Sequence, residues 1–127
     1  MNIADANVIL RYLLQDAAQF IEPAKDKIEN HYIFIPNEVI AEVVYVLEKV
    51  YKVERVSIFD ALKNLLTYSN ITTHDKNMLI EALKVYSEIK IDFVDSLLFA
   101  YSKIGSHTVF TFDKKLNQML DQLRNAK

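Results

Sequence analysis

The stretch Met1–Leu14, MNIADANVILRYLL, most constrains what this chain can fold into. A short apolar run is cut by Asp5, and Asn7 then opens a second apolar run in which Val8, Ile9, Tyr12 and Leu13 recur at helical spacing. The pattern predicts a strand, a tight turn holding a carboxylate, and a helix over Asn7–Gln15. In an open α/β sheet, ligands bind beyond the carboxyl ends of the strands, so an acid in that turn faces the place where chemistry occurs.

The remainder repeats the theme of brief β-rich runs separated by amphipathic helices. Asp16 is read as the cap of a second helix reaching about Asn30, with Pro23 kinking it or starting its regular part. His31–Ile35 reads as a second strand stopped by Pro36, and Asn37 caps a helix to about Tyr51 with valines along one stripe. A helix over about Glu54–Tyr68 follows, then a weak third strand at Ile71–Thr73 and a helix over about Lys76–Ile89 capped by Asp75. Asp92 opens a helix from Phe93 to about Ile104, which Gly105 is expected to end in the left-handed conformation. His107–Phe112 reads as a fourth strand broken by Asp113, before a closing amphipathic helix from Lys114 to about Arg124. Strands separated by one or two helices pair in parallel, with helices on both faces, so the expected class is α/β in a single domain over residues 1–127.

Composition supports a packed core and removes several functions. Of 127 residues 51% are hydrophobic, and a chain this long buries about two thirds of its unfolded surface. With no cysteine there is no disulfide, no thiolate metal site and no Cys nucleophile. The single glycine, Gly105, rules out the glycine-rich loops that cradle phosphate. No apolar run approaches the roughly 20 residues of a membrane span and no basic region leads into one, so the expectation is a soluble cytoplasmic protein. A net charge of −2 argues against coating nucleic acid nonspecifically, though not against a nuclease, whose metal-binding acids themselves lower the charge.

Asp5 and Asp113 follow the first and last predicted strands and so share one sheet edge, while Asp92 and Asp95 lie in the first turn of a helix and Glu42 about one and a half turns into another. Carboxylates brought together repel and raise one another's pKa unless a cation sits among them. Hard oxygen donors without His or Cys select Mg²⁺ or Mn²⁺, and such ions serve phosphodiester hydrolysis. Each acid also has a plainer reading. Asp92 with Asp95 resembles a capping box, Asp113 an N-cap, Asp5 an Asx turn, and Glu42 part of a solvated face with Glu38 and Lys49.

Taken together, Asp5-Ala6-Asn7, IPNEVIAEVVYVL (Ile35–Leu47), IDFVDSLLFAY (Ile91–Tyr101) and TFDKKL (Thr111–Leu116) resemble, in order and spacing, the PIN domain, specifically the VapC-type toxin ribonucleases of toxin–antitoxin pairs. The resemblance covers almost the whole chain. It implies a three-layer PIN-like fold with a parallel central sheet of four to five strands flanked by helices. It also implies a metal-dependent endoribonuclease that uses Mg²⁺ or Mn²⁺, a small antitoxin partner covering the site, and a homodimer built on amino-terminal helices; separately, Tyr12, Phe20, Tyr45 and Tyr51 exceed what a small core needs and are candidates for an interface. By the same resemblance Asp5, Glu42, Asp95 and Asp113 are the catalytic and metal-binding acids, Asp92 is a further metal ligand, and Asn7 and Thr111 are supporting polar residues. Arg11, Lys114 and Lys115 are candidate RNA contacts. Ala6 stands where the family often carries a hydroxyl, and Tyr101 near where small residues are common.

The alternatives are poorer. A dehalogenase-type phosphatase needs a second aspartate where Asn7 stands, and a phosphoacceptor receiver needs an acid pair at the first strand that is absent. His31, His74 and His107 show no ligand spacing. A noncatalytic PIN-fold module that binds RNA or protein is the rival of a different class.

Overall fold

The computed structural model describes residues 1–126, and the chain divides into two compact units, Met1–Lys76 and the part from Asn77 onward. In the first unit, strands β1 (Asn2–Ile3), β2 (Ile33–Phe34) and β3 (Ile71–Thr72) alternate with helices α1 (Ala6–Leu14), α2 (Ala18–Glu29), α3 (Asn37–Lys49) and α4 (Arg55–Leu66). Two helices separate each pair of successive strands, long enough to return the chain to the same end of the sheet, and the strands are parallel in the order β1-β2-β3. The register pairs Asn2 with Ile33 and Ile33 with Ile71. Backbone bonds from Ile33 N to Asn70 O and from Ile35 N to Thr72 O, both 2.9 Å, carry the ladder to the residue before β3 and the residue after β2.

Buried Ile33, Ile35 and Ile71 supply the sheet's share of the core, and Ile9, Ile28, Ile40, Val43, Val44, Leu47, Ile58 and Leu62 supply the helices' share. A polar network closes the first unit. The Tyr12 hydroxyl donates to Glu29 Oε2 at 2.7 Å and lies 2.9 Å from the Tyr68 hydroxyl. Burial, reinforced by both partners, raises the Tyr12 phenol's pKa well above its ordinary value. Asn70 Nδ2 donates to Ile28 O at 2.6 Å and His31 O at 2.8 Å, fastening the turn after α2 to the approach of β3.

The second unit is built from α5 (Lys76–Glu88), which begins on the last residue of the first unit, α6 (Phe93–Lys103) and α7 (Lys114–Asn125). Tyr86 meets Phe93 edge to face at 6.1 Å, and buried Val85, Ile91 and Met119 cluster with Ile89 and Phe99. Along α6 the buried positions are Phe93, Ser96 and Ala100, and the Ser96 hydroxyl donates to Asp92 O at 3.0 Å.

The parallel α/β class stands as expected, and the differences are local. Among the described residues the sheet has three strands, short of the four to five expected, because 107–112 forms no ladder. The polar groups at the end of that segment are used locally instead. Thr111 O accepts from Asn117 Nδ2 at 2.8 Å, and Thr111 Oγ1 accepts from Asp113 N–H at 3.0 Å.

Gly105 is not the left-handed residue. Ser106 is, at φ 59°. Gly105 serves a close approach: a Cβ there would stand 2.8 Å from His107 Cδ2, 2.9 Å from Tyr101 O and 3.2 Å from Met78 Cε. Asp16 does not cap α2, whose N-cap is Ala17; it pairs with Arg11 Nη1 at 3.1 Å, which neutralises it on the turn after α1. Asn37 is the first residue of α3 rather than its cap, a place taken by Pro36. Pro23 lies inside α2.

Candidate active site

Asp5 follows the carboxyl end of β1 in extended backbone and is the N-cap of α1, its Oδ1 accepting from Val8 N–H at 3.0 Å. The chain can place a carboxylate there because the flanking residues, Ala4 and Ala6, are small and buried. Their lack of polar side chains leaves Asp5 and exposed Asn7 as the polar groups of the turn. Glu42 is exposed on α3, between buried Ile40 and Val43. Helix α1 packs against α3, so the first unit presents both acids on packed elements.

In the second unit Asp92 caps α6, its Oδ1 accepting from Asp95 N–H at 2.9 Å, and Asp113 caps α7, its Oδ1 accepting from Leu116 N–H at 2.7 Å. The capping readings of Asp5, Asp92 and Asp113 are thus realised. They do not exhaust the side chains. In each case Oδ1 makes the cap, and among the described residues Oδ2 takes no partner.

Asp95, half-buried in the first turn of α6, is the acid whose ionisation is disturbed. Burial raises its pKa first, and the charges of Asp92 and then Asp113 add to the rise. Asp95 therefore feels the charges of both Asp92 and Asp113. Exposed Lys114 and Lys115 directly follow Asp113, whereas Arg11 is engaged, its Nη1 on Asp16 and its guanidinium 5.3 Å from the Phe20 ring centre.

The comparison with protein families decides what this arrangement belongs to: the model of the PIN domain matches residues 3–120. The chain belongs to the PIN domain family. This PIN chain is also similar to a VapC ribonuclease of Aquifex aeolicus (strain VF5), with 31% identity over 126 aligned residues covering 94% of the chain and 92% of the relative. No solved structure gives a significant match. Among the described residues no helix is long and apolar enough to cross a membrane.

The donor chemistry of the candidate acids suits a hard divalent cation, since all are carboxylates, and such an ion relieves the repulsion from Asp92 and Asp113 that adds to the effect of burial at Asp95. Within each unit, among the described residues, no three His, Cys, Asp or Glu side chains form a metal cage. What the second unit presents is Asp95 with the charges of Asp92 and Asp113 in reach of it, rather than a formed metal centre. What sequence reasoning missed lies just before Asp113. The alternation through Phe110 and Phe112 predicts a strand, yet both rings are exposed, and no local pattern distinguishes a strand with a neighbour from one without.

Proposed function

We propose that this PIN chain is an endoribonuclease that hydrolyses RNA phosphodiester bonds with Mg²⁺ or Mn²⁺, acting as the toxin of a toxin–antitoxin pair. The observation that carries the reading is the similarity to a VapC ribonuclease along 94% of the chain. The exposed, half-committed carboxylates support it. In this reading residues 1–127 act as one PIN domain in the cytoplasm, with RNA as substrate and an antitoxin protein as partner. Exposed Phe20, Tyr45 and Tyr51 support the homodimer, and Tyr12 leaves that set because its side chain is buried with its hydroxyl on Glu29.

Asp5, Glu42, Asp95 and Asp113 are the residues that would hold the ion, with Asp92 as a further ligand. Bound there, a divalent ion would supply Lewis acidity toward the phosphate and would lower the pKa of water, so that hydroxide becomes available as the nucleophile. The chain's own part is positional. Helix caps fix Asp5, Asp92 and Asp113 through Oδ1 and leave Oδ2 for ligation. Thr111 holds the Asp113 backbone, Asn7 stands in the turn with Asp5, and Lys114 and Lys115 receive the phosphate backbone, with Arg11 as a further cation.

Asp5→Asn and Asp95→Asn test the assignment. Asparagine caps a helix about as well as aspartate, so Asp5→Asn removes charge while keeping the cap. Both variants are expected to lose RNA cleavage in Mn²⁺ by at least about 100-fold, on the order of 3 kcal/mol of barrier, while melting as cooperatively as the parent. Full cleavage by either variant sinks the assignment.

A further inference from the structure

The corner that carries Asp113 is closed by a ring of three hydrogen bonds, all between residues of the second unit. Thr111 Oγ1 accepts from Asp113 N–H at 3.0 Å, Asp113 O accepts from Asn117 N–H at 3.0 Å, and Asn117 Nδ2 donates to Thr111 O at 2.8 Å. A main-chain carbonyl can only accept, so the nitrogen of the Asn117 amide, and not its oxygen, faces Thr111. Asn117 therefore grips the chain on both sides of Phe112, residue 113 through its backbone and residue 111 through its side chain.

Neither helix formation nor capping explains that side chain. Asn117 is the fourth residue of α7, a position where asparagine is a weaker helix former than alanine, leucine or lysine. The cap is already made by Asp113 Oδ1 on Leu116 N–H at 2.7 Å. The same position in the other two aspartate-capped helices shows that a cap does not call for a long reach. In α1 it is Ile9, fully buried and apolar, and in α6 it is Ser96, whose hydroxyl goes no further than the cap's own carbonyl, Asp92 O, at 3.0 Å. Among these three residues, Asn117 alone reaches past its cap.

What the reach fixes is the approach of the chain to Asp113. Thr111 holds the Asp113 N–H, and Asn117 ties Thr111 to α7, so the N–H, the C=O and Oδ1 of Asp113 are all bound while Oδ2 is left for ligation. A metal ligand serves only when held within about 0.5 Å of its productive place, and residues that orient ligands without touching the ion commonly contribute 10- to 100-fold to metal affinity. We propose that Asn117 is a positioning residue for Asp113, fixing through Thr111 O the corner from which Asp113 offers Oδ2 to the divalent ion. The inference rests on the metal-dependent ribonuclease reading and deepens it, adding a residue that touches neither ion nor RNA.

The test measures Mn²⁺ binding to the full chain without RNA, as the rise in Tm with Mn²⁺ concentration beyond that in sodium chloride at equal ionic strength, and follows RNA cleavage against Mn²⁺ concentration beside it. Asn117→Ala removes the donor but improves the helix preference, so in EDTA it is expected to melt close to the parent. Its half-saturating Mn²⁺ concentration is expected to rise roughly 10- to 100-fold in both measurements. Asn117→Gln keeps an amide donor on a longer stem and is expected to lose less. Gln118→Gly, at the exposed neighbouring position, loosens α7 without touching the ring and is expected to keep the parent's Mn²⁺ affinity. Unchanged Mn²⁺ affinity in Asn117→Ala overturns the positioning role and leaves the ribonuclease reading standing. So does an equal shift in Gln118→Gly, which makes a loosened helix sufficient, and so does a glutamine variant as weak as alanine, which removes the hydrogen bond as the agent. A parent whose Mn²⁺ response equals its sodium chloride response overturns the metal-dependent reading and the positioning role together.

Discussion

At the scale of single residues, the acids show how one side chain serves two ends. A helix N-terminus favours a carboxylate by about 0.3–1 kcal/mol, and capping through one oxygen adds about 1 kcal/mol, so Asp5, Asp92 and Asp113 contribute to stability where they stand. Asp95 does not. Its N–H serves the Asp92 cap, but its own carboxyl is penalised by burial and then by the like charges of Asp92 and Asp113, which together raise its pKa. Between the unfolded value of 3.8 and the raised native value, the native state holds more protons than the unfolded chain. Stability therefore falls as pH rises through that window, and the deficit is fully present above it. In EDTA, Asp95→Asn is expected to melt above the parent at pH 7, with the gap closing as pH is lowered toward 3.8. A variant that melts lower at pH 7, or a gap unchanged by pH in calorimetry, contradicts this account of Asp95.

Elements differed in how much of them the sequence revealed. Helices were legible because their apolar spacing and their caps are local properties, and Asp92 and Asp113 act at the starts of α6 and α7 as read. Strand β2 was legible from a β-rich run ending in proline. The segment 107–112 has the same alternation, yet pairing depends on a partner that no local pattern reports. The turn before it hid a second fact. Gly105 suggested a left-handed residue, but the conformation belongs to Ser106, and the glycine is there because a Cβ would meet the Tyr101 carbonyl at 2.9 Å. The two roles separate by substitution. Gly105→Ala is expected to destabilise by about 1–3 kcal/mol through overpacking against backbone that cannot move aside. Ser106→Gly is expected to stabilise by about 1 kcal/mol by relieving the left-handed strain. Urea midpoints at unchanged m-values check both, and a neutral Gly105→Ala removes the packing account of this turn.

For the whole molecule, the acids at 5, 42, 92, 95 and 113 span nearly the entire chain, so a ligand that needs them binds the folded protein and not the unfolded one. Four motifs in register name them as candidates, whereas the absence of a formed cage within either unit among the described residues is not written in the sequence, because ligand distances are not encoded in spacing along the chain. Binding to the native state alone stabilises by RT ln(1 + [L]/Kd), about 2.7 kcal/mol at one hundred times Kd. For a chain of this size that is a rise in Tm of roughly 5–15 °C. Mn²⁺ is expected to produce such a rise, reversed by EDTA. Screening of repelling carboxylates by any salt also stabilises somewhat, so the comparison that matters is Mn²⁺ against sodium chloride at equal ionic strength. A specific rise that disappears in both Asp5→Asn and Asp95→Asn ties these two acids to the same ion. A parent whose Mn²⁺ response equals its sodium chloride response has no metal site, and the PIN fold then serves as a noncatalytic module that binds RNA or protein.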